Sequence, residues 1–221
     1  MKRVFITGVS SGIGYELAKL YLSKGYRVSG LSRRDPHLDG LHWINVDISD
    51  FNQIETLNSV GDIEFDLIIL NAGVLGELKT MRDTPLDEIQ SVMNINVWAN
   101  KLIIDKFKYV KQIVAISSGA SVNGNRGWSG YSLSKATLNM LIKLYSTEQR
   151  ETHFSAVAPG LIETPMLNRI TTEFDEVKFP SVKRLKESQK QSPRESAELL
   201  ADLFPKLLDR ESGEYIDVRH I

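Results

Sequence analysis

Near the start of the chain a short apolar run, Val4-Phe5-Ile6, gives way to Thr7-Gly8-Val9-Ser10-Ser11-Gly12-Ile13-Gly14 and then at once to a helix-like run, Tyr15 to Leu22. Strand, glycine turn and helix in that order form the context of a phosphate-binding turn. Glycine tolerates positive φ and leaves no Cβ in the path of a ligand. The first amides of the helix have no carbonyl partner within it and sit at the positive end of its dipole, so they suit a pyrophosphate. The glycine spacing is Gly-x-x-x-Gly-x-Gly rather than Gly-x-Gly-x-x-Gly. On these residues alone, a glycine-rich βα turn that binds nothing is an equal reading.

The rest of the chain alternates strand-length apolar runs with helical patterns. Strands are expected at Arg3–Thr7, Tyr26–Ser32, His42–Val46, Asp66–Leu70, Lys111–Ser117, Thr152–Ala158 and Tyr215–Val218. Asp66-Leu67-Ile68-Ile69-Leu70 is nearly all apolar, as a parallel strand buried on both faces requires. Helices are expected over Gly12–Ser23, stopped by Lys24-Gly25, over Asn52–Ser59, and from Thr84-Pro85 to about Phe107. Further helices are expected over Ser129–Arg150 and from Ser192-Pro193 onward. This alternation predicts an α/β fold, a single-domain doubly wound parallel sheet (Rossmann-like) with helices on both faces, spanning residues 1–221. Ligands of such sheets bind beyond the carboxyl ends of the strands, at the switch point. Thr164–Gln191 has no clear place in the sheet and is too long for an ordinary loop, so it reads as a lid.

Composition removes several function classes. Basic and acidic residues nearly balance, 27 against 28, so no global field calls for nucleic acid or an anionic membrane. No run approaches the roughly 18–20 apolar residues of a spanning helix, and no secretory leader is expected. Cysteine is absent, which excludes disulfides and thiolate metal sites and fits a cytoplasmic location. His37, His42, His153 and His220 have no metal-ligand spacing to one another, so no metal is expected. The basic stretch Lys178, Lys183, Arg184, Lys186 and Lys190 reads as a solvated face of a lid helix.

Every strand exit carries something polar or glycine-rich: the first glycine turn, Ser32-Arg33-Arg34, Asp47-Ile48-Ser49-Asp50, Asn71-Ala72-Gly73, Ser117-Ser118 and Pro159-Gly160. A purely structural sheet has no need of this, whereas a ligand lying across the sheet does. Four of these features, Thr7-Gly8-x-x-x-Gly12-x-Gly14, Asn71-Ala72-Gly73, Tyr131-x-x-x-Lys135 and Pro159-Gly160, occur in the order found in the short-chain dehydrogenase/reductase family. The chain resembles the compact single-domain branch of that family, strongly over about residues 1–165. The resemblance implies a nicotinamide dinucleotide held by Gly8, Ser10, Ser11, Gly12, Ile13 and Gly14. It places Asp47 on the adenine amino group, Ile48 beside the ring, and Asn71, Ala72 and Gly73 close along the cofactor. It also implies Pro159, Gly160, Ile162 and Thr164 at the nicotinamide, with Thr164 on its carboxamide. Ser118, thirteen residues before Tyr131, falls at the family's catalytic serine. Asn96 falls at its catalytic asparagine, which would hold a water linking Lys135 to solvent.

The chemistry follows from residue types. Tyr131 and Lys135 are four apart and share a helix face. A free tyrosine, with a pKa of about 10, is too weak an acid near neutrality, and a nearby ammonium is expected to lower it. Tyr131 then donates a proton to a carbonyl oxygen, or removes one from an alcohol, while Ser118 holds that oxygen. By the resemblance, Lys135 also reaches the ribose hydroxyls. Where enzymes selecting NAD place a carboxylate after the second strand, this chain has Ser32 followed by Arg33, a pair suited to a 2′-phosphate. The expected cofactor is therefore NADP(H), with Arg34 as a solvated charge.

Leu75, Trp98, Ser121–Trp128 and the lid are expected to wall an apolar pocket for a small-molecule carbonyl or alcohol. The reading is an NADP(H)-dependent carbonyl reductase. A related enzyme using the same groups for epimerisation or dehydration, and a non-catalytic dinucleotide-binding sensor or interaction protein, are the alternatives. The end of the chain, Gly213 to Ile221, lacks the Asp-Gly-Gly turn of many family members. A homodimer through helices 85–107 and 129–150, which does not use that end, is compatible with this departure.

Overall fold

The computed structural model describes residues 1–221. Seven parallel strands, β1 (Arg3–Thr7), β2 (Arg27–Ser32), β3 (His42–Asn45), β4 (Phe65–Leu70), β5 (Val110–Ile116), β6 (His153–Ala158) and β7 (Glu214–Asp217), form one sheet in the order β3-β2-β1-β4-β5-β6-β7. The expected doubly wound sheet is what forms. Successive strand residues point to opposite faces, which accounts for the continuous apolar runs. Phe5, Ile68, Leu70 and Ile113 enter one core, with Ile103, Ile104, Leu138 and Ile142 from the covering helices. Val4, Ile6, Leu67, Ile69 and Val114 enter the other, against Leu17 and Ala18 of α1 (Gly12–Ser23) and Leu200 and Phe204 of the last helix. In the first core the rings of Phe5, Phe65 and Phe107 meet at centroid distances of 4.8–5.8 Å.

Three segments differ from the sequence reading. The helix expected over 52–59 is broken into α2 (Phe51–Ile54), a 3₁₀ turn and α3 (Asn58–Gly61). The helix expected to run unbroken to about Phe107 is α4 (Leu86–Met93), a π-turn (Asn94–Trp98) and α5 (Ala99–Lys106). Its N-cap is Pro85, because the Thr84 hydroxyl donates back to the Thr80 carbonyl. The π-turn leaves Asn96 fully buried, whereas Trp98 stands 39% exposed on the outer surface. Lastly, the segment read as a lid, with a helix expected only at its basic stretch, forms two helices. After α6 (Ser129–Glu148) and β6 it forms α7 (Pro165–Glu173) and α8 (Pro180–Glu187), each with proline in its first turn. Its two ends are tied together where Glu163 N–H donates to Gln191 O at 2.9 Å and Gln191 N–H to Leu161 O at 3.0 Å. A third, smaller core of Leu75, Leu78, Trp128, Leu167, Ile170, Phe179 and Val182 lies beneath it. The final helix, α9 (Pro193–Leu207), begins with the reciprocal Ser192–Glu195 capping box. No helix is long and apolar enough to cross a membrane.

Candidate functional site

The strand order reverses between β1 and β4, the place where such sheets open a crevice. Thr7, fully buried at the end of β1, accepts the Asn71 and Ala72 amides on its hydroxyl oxygen, both at 2.9 Å. The Asn71 side-chain amide donates to the Thr7 carbonyl at 2.9 Å. These bonds clamp the β1 and β4 turns side by side, with Gly8 and Gly12 in left-handed backbone conformation at φ 79° and 61°. No side chain caps the start of α1, so its first amides are left for an external acceptor. A cavity of about 840 Å³ opens above this crevice and runs beneath the lid.

Most of the predicted site residues meet in that cavity. Gly8, Ser10, Ser11, Gly12 and Ile13 line it from β1, Ser32 and Arg33 from β2, Asp47 and Ile48 from β3, and Asn71, Ala72 and Gly73 from β4. Ser118 joins from β5, Tyr131 and Lys135 from α6, and Pro159, Gly160, Ile162 and Thr164 from β6 and the lid entry.

Two of the predicted cofactor and catalytic residues do not line it. A Cβ on Gly14 would sit 2.4 Å from both Gly8 O and Asn71 Nδ2, so this glycine lets helix and turn touch and faces no ligand. Asn96 lies behind Gly73. Its Oδ1 accepts from Val74 N–H at 2.8 Å, and its Nδ2 donates to Val74 O at 2.8 Å and Ser134 Oγ at 2.9 Å. Its own carbonyl accepts from Asn100 at 2.8 Å. Asn96 thus braces the 73–74 turn beside Lys135, and its side chain has no polar atom turned to the cavity.

Polar groups in the cavity are fixed unevenly. The Ser117 hydroxyl is committed to Asn139 Oδ1 at 2.5 Å, whereas Ser118 Oγ accepts from Ala120 N–H at 3.1 Å and keeps its proton for another partner. Burial pushes the Tyr131 phenol above the usual tyrosine range, and the neighbouring Ser118 hydroxyl pulls it part of the way back. The expected lowering by Lys135 is absent. The Lys135 ammonium nitrogen stands 5.9 Å from the centre of the Tyr131 ring and donates instead to Ile116 O at 2.8 Å. Lys135 is itself buried, 4% exposed, and desolvation brings its pKa down to about 8.

At the other end of the cavity the Ser32 hydroxyl donates to Arg34 O at 2.7 Å and accepts from Trp43 Nε1 at 3.1 Å. It therefore shapes the 32–34 turn, leaving Arg33 and Arg34 as the cationic lining there. Asp47 is held ionised chiefly by the Ser49 backbone amide, with the Ser49 hydroxyl and Arg33 also contributing. Trp98 and Leu75 do not wall the cavity; the first faces outward and the second lies in the core under the lid. Trp128, Met166, Leu167 and Ile170 do wall it. Sequence reasoning missed Arg219, and it read Arg184 as solvated, yet both line the cavity. The unusual C-terminal segment was the available signal for Arg219.

The family model for short chain dehydrogenases matches residues 2–175. The chain is a short-chain dehydrogenase/reductase. Among its relatives, a benzil reductase ((S)-benzoin forming) of Bacillus subtilis is 28% identical over 99% of both chains. A protein of the same description from Saccharomyces cerevisiae is 30% identical over 75% of this chain and 73% of its own. Among solved structures, the KRED1-Pglu enzyme superposes with a TM-score of 0.87 at 23% identity, covering 97% of this chain and all of that one. A reductase from Brucella melitensis, described as complexed with NADH, gives a TM-score of 0.79 at 20% identity, covering 98% of this chain and 96% of its own. Members of this short-chain dehydrogenase/reductase family bind a nicotinamide dinucleotide and act on small-molecule carbonyls and alcohols. The chain is accordingly an oxidoreductase between C=O and CH–OH. The residues present fit such a dinucleotide: an uncapped helix N-terminus, a left-handed glycine turn and a long cavity with side-chain charge at both ends.

Proposed function

We propose that the protein is an NADP(H)-dependent carbonyl reductase in which Tyr131 is the proton donor. The observation that carries this is the meeting, in one cavity, of the glycine turn, the Arg33-Arg34 pair, and Ser118 with Tyr131 and Lys135. The bound dinucleotide would supply or accept hydride. Residues 8–13 with the start of α1 hold its phosphates, Arg33 and Arg34 a 2′-phosphate, and Asp47 and Ile48 its adenine. Gly73 leaves room for it along β4, and Pro159, Gly160, Ile162 and Thr164 border its nicotinamide end.

The chain's own residues then manage the oxygen and the proton. Ser118 donates its free proton to the carbonyl oxygen and fixes it beside Tyr131. Tyr131, kept protonated by burial, delivers its phenolic proton as negative charge grows on that oxygen. Lys135, buried beside Tyr131 with its ammonium on Ile116 O, would hold the dinucleotide's ribose hydroxyls with its remaining N–H donors. Trp128, Met166 and Ile170 keep water from the reacting carbon and favour an apolar or aromatic substrate. Benzil, the diaryl 1,2-diketone in the name of two relatives, has that character.

The test is consumption of NADPH and of NADH against aromatic ketones, diketones and aldehydes, with Tyr131→Phe beside the wild type. NADPH consumption that disappears in the variant is expected. Dinucleotide binding with no turnover on any carbonyl would favour the sensor reading, and no binding would end both. For assembly we propose a homodimer through α4, α5 and α6. Leu133, Met140 and Leu144 lie exposed on one face of α6, an apolar surface suited to a second copy.

A further inference from the structure

The C-terminal segment is the part of the chain that the mechanism leaves unused, yet it reaches the reacting end of the cavity. β7 ends in Asp217, which is 9% exposed, and the chain then turns back over β5 and β6. Arg219 Nε donates to Asp217 Oδ1 at 2.8 Å and its Nη2 to Oδ2 at 2.5 Å. A planar guanidinium carries five N–H donors, so this fork leaves three. The stem of Arg219 packs on Gly160, where an added Cβ would meet Arg219 Cγ at 4.0 Å. The head lies on Gly119, where an added Cβ would meet Nη2 at 2.8 Å and Asn123 Nδ2 at 3.6 Å. Gly119, Gly160, Asn123 and Arg219 all line the cavity. The guanidinium is therefore anchored from behind by a carboxylate, with room made by two glycines, one residue along from Ser118.

We propose that Arg219 is a specificity-determining residue that receives a second oxygen of the substrate, on the carbon next to the reacting carbonyl. The inference rests on the reductase reading above. Ser118 and Tyr131 take the reacting oxygen. A donor set over Gly119 serves its neighbour, and Asp217 prevents the arginine from swinging away. The ligand chemistry is a vicinal dicarbonyl, met either by a neutral 1,2-diketone or by a 2-oxo acid.

The test compares benzil with deoxybenzoin, which has the same skeleton with one carbonyl replaced by CH₂, and with benzoylformate as the 2-oxo acid. Each is measured in the wild type, in Arg219→Met and in the double variant Asp217→Asn/Arg219→Met, which leaves no buried carboxylate without its partner. A charge-assisted hydrogen bond lost from the transition state lowers kcat/KM roughly 10- to 100-fold. That loss is expected in both variants for at least one dicarbonyl, with deoxybenzoin changing less than about twofold on the same reasoning. Whether benzil or benzoylformate carries the loss identifies the source of the second oxygen. Equal losses for all three compounds, or none, would overturn the assignment.

Binding to the protein alone is followed in parallel by tryptophan fluorescence, since Trp128 lies in the cavity wall. If the wild type turns over neither these three nor any carbonyl of the wider panel, the reductase reading fails and this arm still decides. Weaker binding of a dicarbonyl but not of deoxybenzoin in the variants retains the role of Arg219, and unchanged binding removes it.

Discussion

Lys135 offers a direct test of how the site is built, independent of any substrate. Its side chain lies 4% exposed with a single hydrogen bond, to Ile116 O. Desolvation takes its pKa from 10.5 to about 8, which amounts to roughly 3 kcal/mol in favour of the neutral amine in the folded chain. Below the folded pKa the ammonium is carried into the interior at full cost. Between about 8 and 10.5 the unfolded chain binds more protons than the folded one, so stability rises with pH across that window. Lys135→Met fills the same space without a charge and removes this dependence. The expected result is that the stability of the wild type relative to Lys135→Met improves by about 2.5 kcal/mol between pH 7 and pH 10, by the linkage relation. Urea denaturation at each pH, on protein without dinucleotide, gives the difference directly, and the titration of other groups cancels between the two proteins. A difference that stays flat across the window would refute the reasoning. It would mean that the Ile116 carbonyl keeps the ammonium fully charged in the interior and that burial has not displaced its titration.

Three further outcomes are expected. Gly14→Ala forces a Cβ to within 2.4 Å of the Gly8 carbonyl, and relieving this overpacking should cost about 1–3 kcal/mol in thermal or chemical denaturation. Arg33→Asp should weaken NADPH binding at least tenfold, on the scale of a lost charge-assisted bond, and leave NADH binding within about threefold, as read by isothermal titration. Ser192→Ala breaks the capping box at the start of α9 and should lower stability by roughly 1 kcal/mol with no effect on dinucleotide affinity.

The strands and helices of the sheet were legible because their causes are local. Apolar runs such as Leu67–Leu70 can be buried only on both faces, and Ser192-Pro193 and the Lys24-Gly25 stop mark helix ends by rules of a few residues. The same cap-and-proline signal stood at Thr164-Pro165, where Thr164 Oγ1 accepts from Leu167 N–H at 3.2 Å, yet in this segment a helix was expected only at the basic stretch, 178–190, and α7 was not. The break at Asn94–Trp98 was not legible, since an α-helical period continues through it. A π-turn there is decided by what Asn96 bonds to, Val74 and Ser134, both distant in sequence. The shift of Tyr131 was misjudged for a related reason. Spacing of four places Lys135 on the same helix face but says nothing of depth or direction, and in the folded protein burial raises the phenol while the Lys135 ammonium is turned to Ile116 O.

The cavity therefore divides into two ends with different relations to the sequence. At the dinucleotide end, glycines at fixed offsets are required by backbone geometry: Gly8 and Gly12 take left-handed conformations, and Gly14 lets α1 touch the turn. A change there is resisted by main-chain atoms, so the motif is readable from one chain. At the substrate end, the lining comes largely from α7, α8 and Arg219, two residues after β7, with contacts made by long side chains. Arg219 meets Gly119 a hundred residues away, and its place is set by Asp217 rather than by any spacing rule. Side-chain tips can be exchanged without moving the sheet. One scaffold can thus keep its cofactor turn while the side chains of the 164–191 segment and the C-terminal segment vary.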